Sequence, residues 1–473
     1  MPEEAVGGHR RLFERAVQHA SVFRDRIGER APRPVITASD LLARFEGPTP
    51  EIGEEPLTVL DALNAAAEPG LTASVGPRFF GWVIGASHPA GVAADMLTSA
   101  WGQTAGVYAC APAAATAEKV SSRWLLDILR LPGECSVGFV TGATMANFVC
   151  LAAARNAVLA RVGWDVEADG LPGAPAVRLF VGADAHVTIH AALRYLGFGT
   201  LAVPVAADAE GRMDPRTLRS ALERGTGPAI VIAQAGQINT GAFDAMPEIV
   251  RVCREHGAWL HVDGAFGLWA RSVPELGELT VGLEHADSWS TDGHKWLQLP
   301  YDSGFAIVRD AEAHRRSMSI MASYLPAASG AEYDPGLFVP ELSRRARGFA
   351  AWTQLRVLGR QGIADMVRRH CALARRLAAR LASEPGVQVM NTVHLNQVIV
   401  GFGTGSAEIC NELTRATVEQ ITRDNICLAG GADWRGRFVL RLSLIAASLT
   451  ESDIDRLAAA IASAWRDVRN QTA

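Results

Sequence analysis

The stretch AWLHVDGAFG, residues 258–267, decides the fold. Its first half is apolar without the strict alternation of a half-exposed strand, so it suits a strand buried on both faces. The run then stops at Asp263-Gly264. A carboxylate at the end of such a strand is costly to bury unless it faces a cation; otherwise it caps the next turn. Working outward, VRLFVGADAH (177–186), PAIVIAQAG (228–236) and SGFAIVRD (303–310) repeat the apolar run, and helical stretches such as PEIVRVCREHG (247–257) lie between some of them. Apolar strands alternating with amphipathic helices predict an α/β fold, doubly wound around a mostly parallel sheet. Ligands in such sheets sit beyond the carboxyl ends of the strands. The polar residues fall there: Asp184 and His186 after one strand, Asn239 and Thr240 after another, and Asp263.

The pattern divides the chain. Residues 1–75 read as a Pro-punctuated helical lead-in, with helical spacing in HRRLFERAVQHASVFRDRI and again in PLTVLDALNAAA. Residues 76–360 carry the strand–helix alternation. From 361 a long amphipathic helix, GIADMVRRHCALARRLAARLAS, precedes the strands VQVMNTVHLNQVIVGF and FVLRLSLI and a capped final helix, TESDIDRLAAAIASAWRDV. These predict a smaller C-terminal α+β domain.

With 473 residues, 49% hydrophobic and 20% charged, the chain has the profile of a folded globule larger than one simple core. A formal charge of −5 with no basic stripe argues against nucleic acid as a partner. Seven dispersed cysteines, without CxxC or Cys/His ligand spacing, argue for a reducing compartment and against a metal site. The first twenty residues carry charge where a secretory signal needs an apolar core, and no uncharged apolar run reaches about 18 residues. The expectation is a cytoplasmic protein with no membrane span.

Only two lysines occur, Lys119 and Lys295, leaving 43 of the 45 basic side chains as arginine. Arginine replaces lysine as a surface charge but cannot lose its proton to form a covalent bond. Lys295, in STDGHKWLQLPYDSG (290–304), is therefore a chemical candidate, with His294 beside it. A lysine of this kind is common on pyridoxal phosphate, which also needs a carboxylate near its ring nitrogen and a cradle for its phosphate. Asp263 is the candidate carboxylate, and Gly264-Ala265 would let a flat ring approach. VTGATMANFVCLAAARN (140–156) places small residues before a strong helix, so Ala143 and Thr144 are candidate phosphate donors; the same pattern is also ordinary helix capping. His186 can stack on a planar cofactor or cap the helix that follows it.

Taken in order, these motifs resemble the group II pyridoxal-phosphate-dependent amino acid decarboxylases, the family of aromatic-L-amino-acid and glutamate decarboxylases. The resemblance runs from GPRFFGWVIGASHP (76–89) through TGATMANFVCLAAARN, DAHVTIHAAL, NTGAFD (239–244), HVDGAFG, ADSWSTDGHKWL (286–297) and SRRARGF (343–349) to the last helix. It implies pyridoxal-phosphate fold-type I and a homodimer in which the N-terminal segment clasps a second subunit and the active site is shared. It assigns the covalent cofactor link to Lys295, the ring-nitrogen partner to Asp263 and ring stacking to His186. Ala265 would lie on the other ring face, Ala143 and Thr144 would hold the phosphate, and His294 would sit near phosphate and substrate. The reprotonating tyrosine would come from the lid 324–342, where Tyr333 is the candidate and Tyr324 packs at the base. Two departures stand out: Gln237-Ile238 replaces a threonine pair, and Asp292 replaces an asparagine and is negatively charged, a poor phosphate ligand.

The implied reaction is decarboxylation of an L-amino acid to the amine and carbon dioxide. For the substrate pocket the resemblance points to Phe80, Trp82, Val83 and Ile84 and, across the interface, to Trp101 and Thr104. No basic residue occurs between Arg78 and Lys119, so an aromatic or apolar side chain fits better than a second carboxylate. Gly85 and Gly106 fall where aromatic decarboxylases use larger side chains, which leaves room for a bulky substrate. Alternatives are an aldehyde synthase, if the loop tyrosine is absent, an aminotransferase using Arg441 on the same fold, and a non-catalytic cofactor-binding relative.

Overall fold

The computed structural model describes residues 4–320 and 332–472. Seven strands form the larger sheet: β1 (Ser136–Val140), β2 (Arg178–Gly182), β3 (Val203–Val205), β4 (Ala229–Gln234), β5 (Trp259–Asp263), β6 (Ser288–Asp292) and β7 (Gly304–Val308). Their spatial order is β1-β7-β6-β5-β4-β2-β3. All pairs are parallel except those of β7, which runs antiparallel to both β1 and β6. The mostly parallel sheet expected from the apolar runs is therefore present, with one reversed strand.

Every residue of β4, β5 and β7 is buried, as runs without alternation require. Period-two geometry still sorts the side chains between two cores. Leu260, Val262, Phe305 and Ile307 enter one; Trp259, Ile230, Ile232 and Val308 enter the other, beneath the helix Ala143–Ala160. That helix is long and apolar enough to cross a membrane by composition alone, but 72% of it is buried. It is a core helix lying across β5, β6 and β7.

Three strands escape the apolar-run criterion. In β6, SWSTD, all five residues are buried although three carry hydroxyls and one a carboxylate. β1 and β3 are the others, β3 having only three residues.

The smaller sheet is antiparallel throughout, in the order β10-β11-β9-β8. It comprises β8 (Val387–Val389), β9 (Gln397–Phe402), β10 (Gly430–Trp434) and β11 (Arg437–Ser443). VQVMNTVHLNQVIVGF, expected as a strand, is thus two strands paired with each other. Helix Ala407–Arg423 covers this sheet, and helix Glu451–Thr472 joins the same core, Trp465 resting on Phe402. The helix Arg347–Ala382 packs against elements of both sheets and breaks at Gly359, whose φ of 60° and ψ of 179° are not helical.

Ahead of the sheets lie helices Glu4–Asp25, Ala38–Phe45 and Pro56–Ala67, of which the second and third contain no buried residue. Phe13, Leu42, Phe45 and Leu63 stand exposed on them.

Candidate active site

The carboxyl ends of β4, β5 and β6 open into one cavity of about 320 Å³. Lys295 lies on the connection between β6 and β7 and reaches into it. Asp263, the last residue of β5, projects from the same sheet face as Trp259 and His261, toward the helix Ala143–Ala160. Its Oδ1 accepts from the Ala265 amide at 3.1 Å and its Oδ2 from Asn147 Nδ2 at 3.5 Å. Burial pushes this carboxyl above the usual range, while His186 and Lys295 pull it back. A buried carboxylate with two donors and no bonded cation among the described residues is a site made for a positive group.

His186 is the N-cap of the helix Val187–Tyr195, its Nδ1 accepting from the Thr188 amide at 3.4 Å and lying 2.8 Å from Thr188 Oγ1. It both caps a helix and lines the cavity, so the two alternatives open in the sequence coexist. Burial lowers its pKa, against the pull of Asp263.

At the other end, Gly142, Ala143 and Thr144 line the cavity at the start of the long core helix. A Cβ at Gly142 would stand 2.9 Å from His294 Cε1 and 3.1 Å from Asp292 Oδ1, so only glycine allows this approach. Asp292, 2% exposed, closes the cradle. Its Oδ1 accepts from the Ala143 amide at 2.6 Å, its Oδ2 is 2.7 Å from Lys295 Nζ, and His294 Nε2 lies 3.3 Å from Oδ1. His294 Nδ1 accepts from the Ser303 amide, and its ring rests 4.5 Å from that of Tyr301.

Lys295, Asp263, His186, Ala265, Ala143, Thr144 and His294 therefore meet around one space, together with Trp82, Val83 and Ile84. Trp82 and Val83 both have positive φ, 55° and 54°, and Trp82 is 58% exposed. Two successive non-glycine residues in the left-handed region, one of them β-branched, are a strained arrangement of the kind that gathers at binding sites.

Of the other expected residues, Trp101, Thr104 and Tyr333 were expected to reach a partner subunit's cavity, and within their own chain they lie outside this one. Phe80 is buried in the core of the smaller sheet. Trp101 lines a separate apolar groove, and Thr104 Oγ1 accepts from the Arg344 amide. Tyr333 donates its hydroxyl to the Val137 carbonyl at 3.2 Å and stacks on Phe338, turned into its own chain and away from the Lys295 cavity. Most of the expected lid, with Tyr324, falls outside the described residues. The room expected at Gly85 and Gly106 is filled by backbone: a Cβ would stand 2.0 Å from the His294 carbonyl oxygen at the first and 2.4 Å from that of Leu342 at the second.

Sequence reasoning missed Asn147 and His261. Both were visible as polar residues inside apolar segments, His261 two positions before Asp263 and hence on its face. It also missed Ile238 and Phe266 as lining residues. Among the described residues no cluster of His, Cys, Asp and Glu could hold a metal ion.

The donor set suits pyridoxal phosphate: a lysine amine between a buried carboxylate and a helix N-terminus, with Asp292 on the Ala143 amide as the one feature set against the phosphate. The comparisons agree. The aromatic-L-amino-acid decarboxylase of Bacillus atrophaeus is 28% identical over 407 residues, spanning 84% of this chain and 82% of that protein. The enzyme of the same name from Sus scrofa is 30% identical, over 89% and 87%. The crystal structure of Oryza sativa TDC with PLP and tryptamine superposes with a TM-score of 0.91 at 23% identity, covering 99% of both chains, which establishes fold-type I. The family described as the pyridoxal-dependent decarboxylase conserved domain matches residues 39–402, a span that takes in every residue lining the cavity. The chain belongs to the pyridoxal-dependent decarboxylase family and is a pyridoxal-phosphate-dependent carboxy-lyase.

Proposed function

We propose that this carboxy-lyase acts on an aromatic or otherwise apolar L-amino acid. The observation that carries this is the cavity lining. Trp82, Val83, Ile84, Ile238 and Phe266 supply its apolar surface, and among the described residues no arginine lines it. A substrate with a second carboxylate would be buried there without a cationic partner.

Pyridoxal phosphate, when bound, supplies the electron sink for the pair left behind as carbon dioxide departs. Lys295 would anchor it, Asp263 would pair with its ring nitrogen, giving the carboxylate the cation that burial demands, and His186 and Ala265 would flank the ring. Because His186 Nδ1 accepts from Thr188, its proton sits on Nε2, the nitrogen free to serve the cavity. Ala143, Thr144 and His294 gather at the phosphate end. Tyr333, on the lid expected to reach a partner subunit's site, is the candidate for reprotonation; within its own chain its hydroxyl donates to the Val137 carbonyl.

The working unit is a homodimer. A groove of about 730 Å³ lined by Leu97, Trp101, Phe349 and Trp352, and the apolar side chains on the first three helices, offer a second copy of the chain an extended apolar surface. The dispersed free cysteines suit a cytoplasmic setting.

The test is a panel of L-tryptophan, L-tyrosine, L-phenylalanine, DOPA, glutamate and aspartate, scored for amine and carbon dioxide, with Lys295→Ala as the inactive control. Preferred turnover of an aromatic substrate is expected; preference for glutamate would overturn the reading. Light scattering at the dimer mass, rather than the monomer mass, tests the assembly.

A further inference from the structure

Asp292 stands where a phosphate would be expected to bind. The first amide of the 18-residue core helix, at Ala143, points its hydrogen at Asp292 Oδ1 over 2.6 Å. A helix N-terminus with a free amide is the ordinary place for a phosphate oxygen. Here a carboxylate of the same chain has taken that amide. Its other oxygen lies 2.7 Å from Lys295 Nζ, the amine that anchors the cofactor, and His294 Nε2 lies 3.3 Å from Oδ1. One side chain thus holds both the phosphate donor and the anchoring amine.

The position is tightly fixed. Asp292 ends β6, its amide donates to the Ala265 carbonyl at 2.9 Å, and it is 2% exposed. A dianionic phosphate arriving beside it meets a like charge that solvent does not screen. An amide side chain of the same shape would carry no charge and could donate to the phosphate.

We propose that Asp292 is an internal place-holder for the phosphate of pyridoxal phosphate, occupying the Ala143 amide and the Lys295 amine until the cofactor displaces it, so that this chain holds its cofactor more loosely than its asparagine variant would. The proposal rests on the assignment of the phosphate end to Gly142–Thr144.

Two opposed effects identify a place-holder. Asp292→Asn keeps an oxygen for the Ala143 amide but loses the buried ion pair to Lys295, so the full-length protein stripped of cofactor should melt several degrees lower. The same substitution should tighten binding of pyridoxal 5′-phosphate, measured by equilibrium dialysis, by on the order of tenfold or more. Unphosphorylated pyridoxal should gain much less. Asp292→Ser, which keeps a helix-capping oxygen without charge, should behave alike and serves if the asparagine variant does not fold.

Unchanged or weaker binding of pyridoxal phosphate by both variants overturns the proposal, as does an equal gain for pyridoxal, which would place the effect at the amine alone. Ala143→Pro separates the underlying assignment, since proline is tolerated at a first helical position and removes the amide hydrogen. It should weaken pyridoxal phosphate and spare pyridoxal. If it leaves both unchanged, the phosphate end is misassigned; if it weakens the phosphate form while Asp292→Asn fails to tighten it, only the place-holder role falls.

Discussion

His261 Nε2 stands 2.9 Å from Asn147 Oδ1, joining the middle of β5 to the core helix beneath it. The amide oxygen can only accept, so this nitrogen carries the proton and His261 Nδ1 accepts from the Ser288 hydroxyl at 2.9 Å. Ser288 Oγ in turn accepts from Trp259 Nε1, and Asn147 Nδ2 donates onward to Asp263. All donors point one way, from Trp259 to the carboxylate that meets the cofactor.

Asn147→Leu, similar in shape but unable to donate, should therefore loosen Asp263. By analogy with outer-shell groups elsewhere, kcat/KM should fall by about 10–100-fold while the circular dichroism spectrum is unchanged. The cofactor's visible absorption should shift as well. Full activity with an unaltered spectrum would show that the chain of bonds does not reach the chemistry.

Gly85 lies so close to the Lys295 segment that a methyl group cannot be added without moving the His294 carbonyl. Gly85→Ala should lower unfolding stability by about 1–3 kcal/mol and displace the lysine, with loss of most activity. Denaturant unfolding and turnover, measured together, check both halves. A stable, active alanine variant would mean that the 79–87 segment shifts freely.

Arg344 and Glu118 form an ion pair with both side chains 1% exposed, and Arg344 also donates to the carbonyls of Ala105 and Phe139. Burial raises the Glu118 carboxyl while the arginine opposes it. Breaking one side strands the other charge, so Arg344→Met should cost about 3–5 kcal/mol. The double variant Arg344→Met with Glu118→Met should recover part of that loss in chemical denaturation. Additive losses would argue that the two are not coupled.

Three buried histidines contribute to the response to acid. Burial lowers His261 to about 3, His314 to about 4 and His370 to about 3. Each ring is bonded through both nitrogens, as with His370, which accepts from Trp296 Nε1 and donates to the Ala446 carbonyl. Their folded pKa lies below the unfolded value near 6.5, so their stabilisation is full above that pH and is lost as pH falls toward 4 or 3. Removing one, as in His370→Gln, should reduce the slope of unfolding free energy against pH between about 5.5 and 4.5 by about 1.4 kcal/mol per unit. Asp244, pushed up to about 7 by burial, works in the opposite sense, losing its contribution as pH rises from about 4 to 7. An unchanged slope in the histidine variant would show that its ring is already charged in the folded protein.

The strands most legible in the sequence are those with uninterrupted apolar runs, β2, β4, β5 and β7. β6 was hidden because Ser288, Ser290 and Thr291 are polar; two of the three find partners inside the sheet region, Ser288 with Trp259 and His261, Thr291 with the Ala265 carbonyl at 3.5 Å. Lys295 and Asp263 could be singled out because each breaks a local rule, one of composition and one of burial. The resemblance put Asp292 near the phosphate as a charged departure, but not its partners, which lie 149 positions away at Ala143 and only three away at Lys295. The two glycines differ for a related reason: residue type suggested room, but the neighbouring backbone had already claimed the space.

The break in the helix Arg347–Ala382 has a further consequence. A φ of 60° with ψ of 179° is open essentially to glycine alone, and a Cβ at Gly359 would touch nothing within 4 Å. The requirement there is thus stereochemical rather than steric: an achiral centre, not an empty space. The angle between the two halves of this helix therefore depends on an achiral residue at this one position. A D-alanine placed there by chemical synthesis should be accommodated where its mirror image is not.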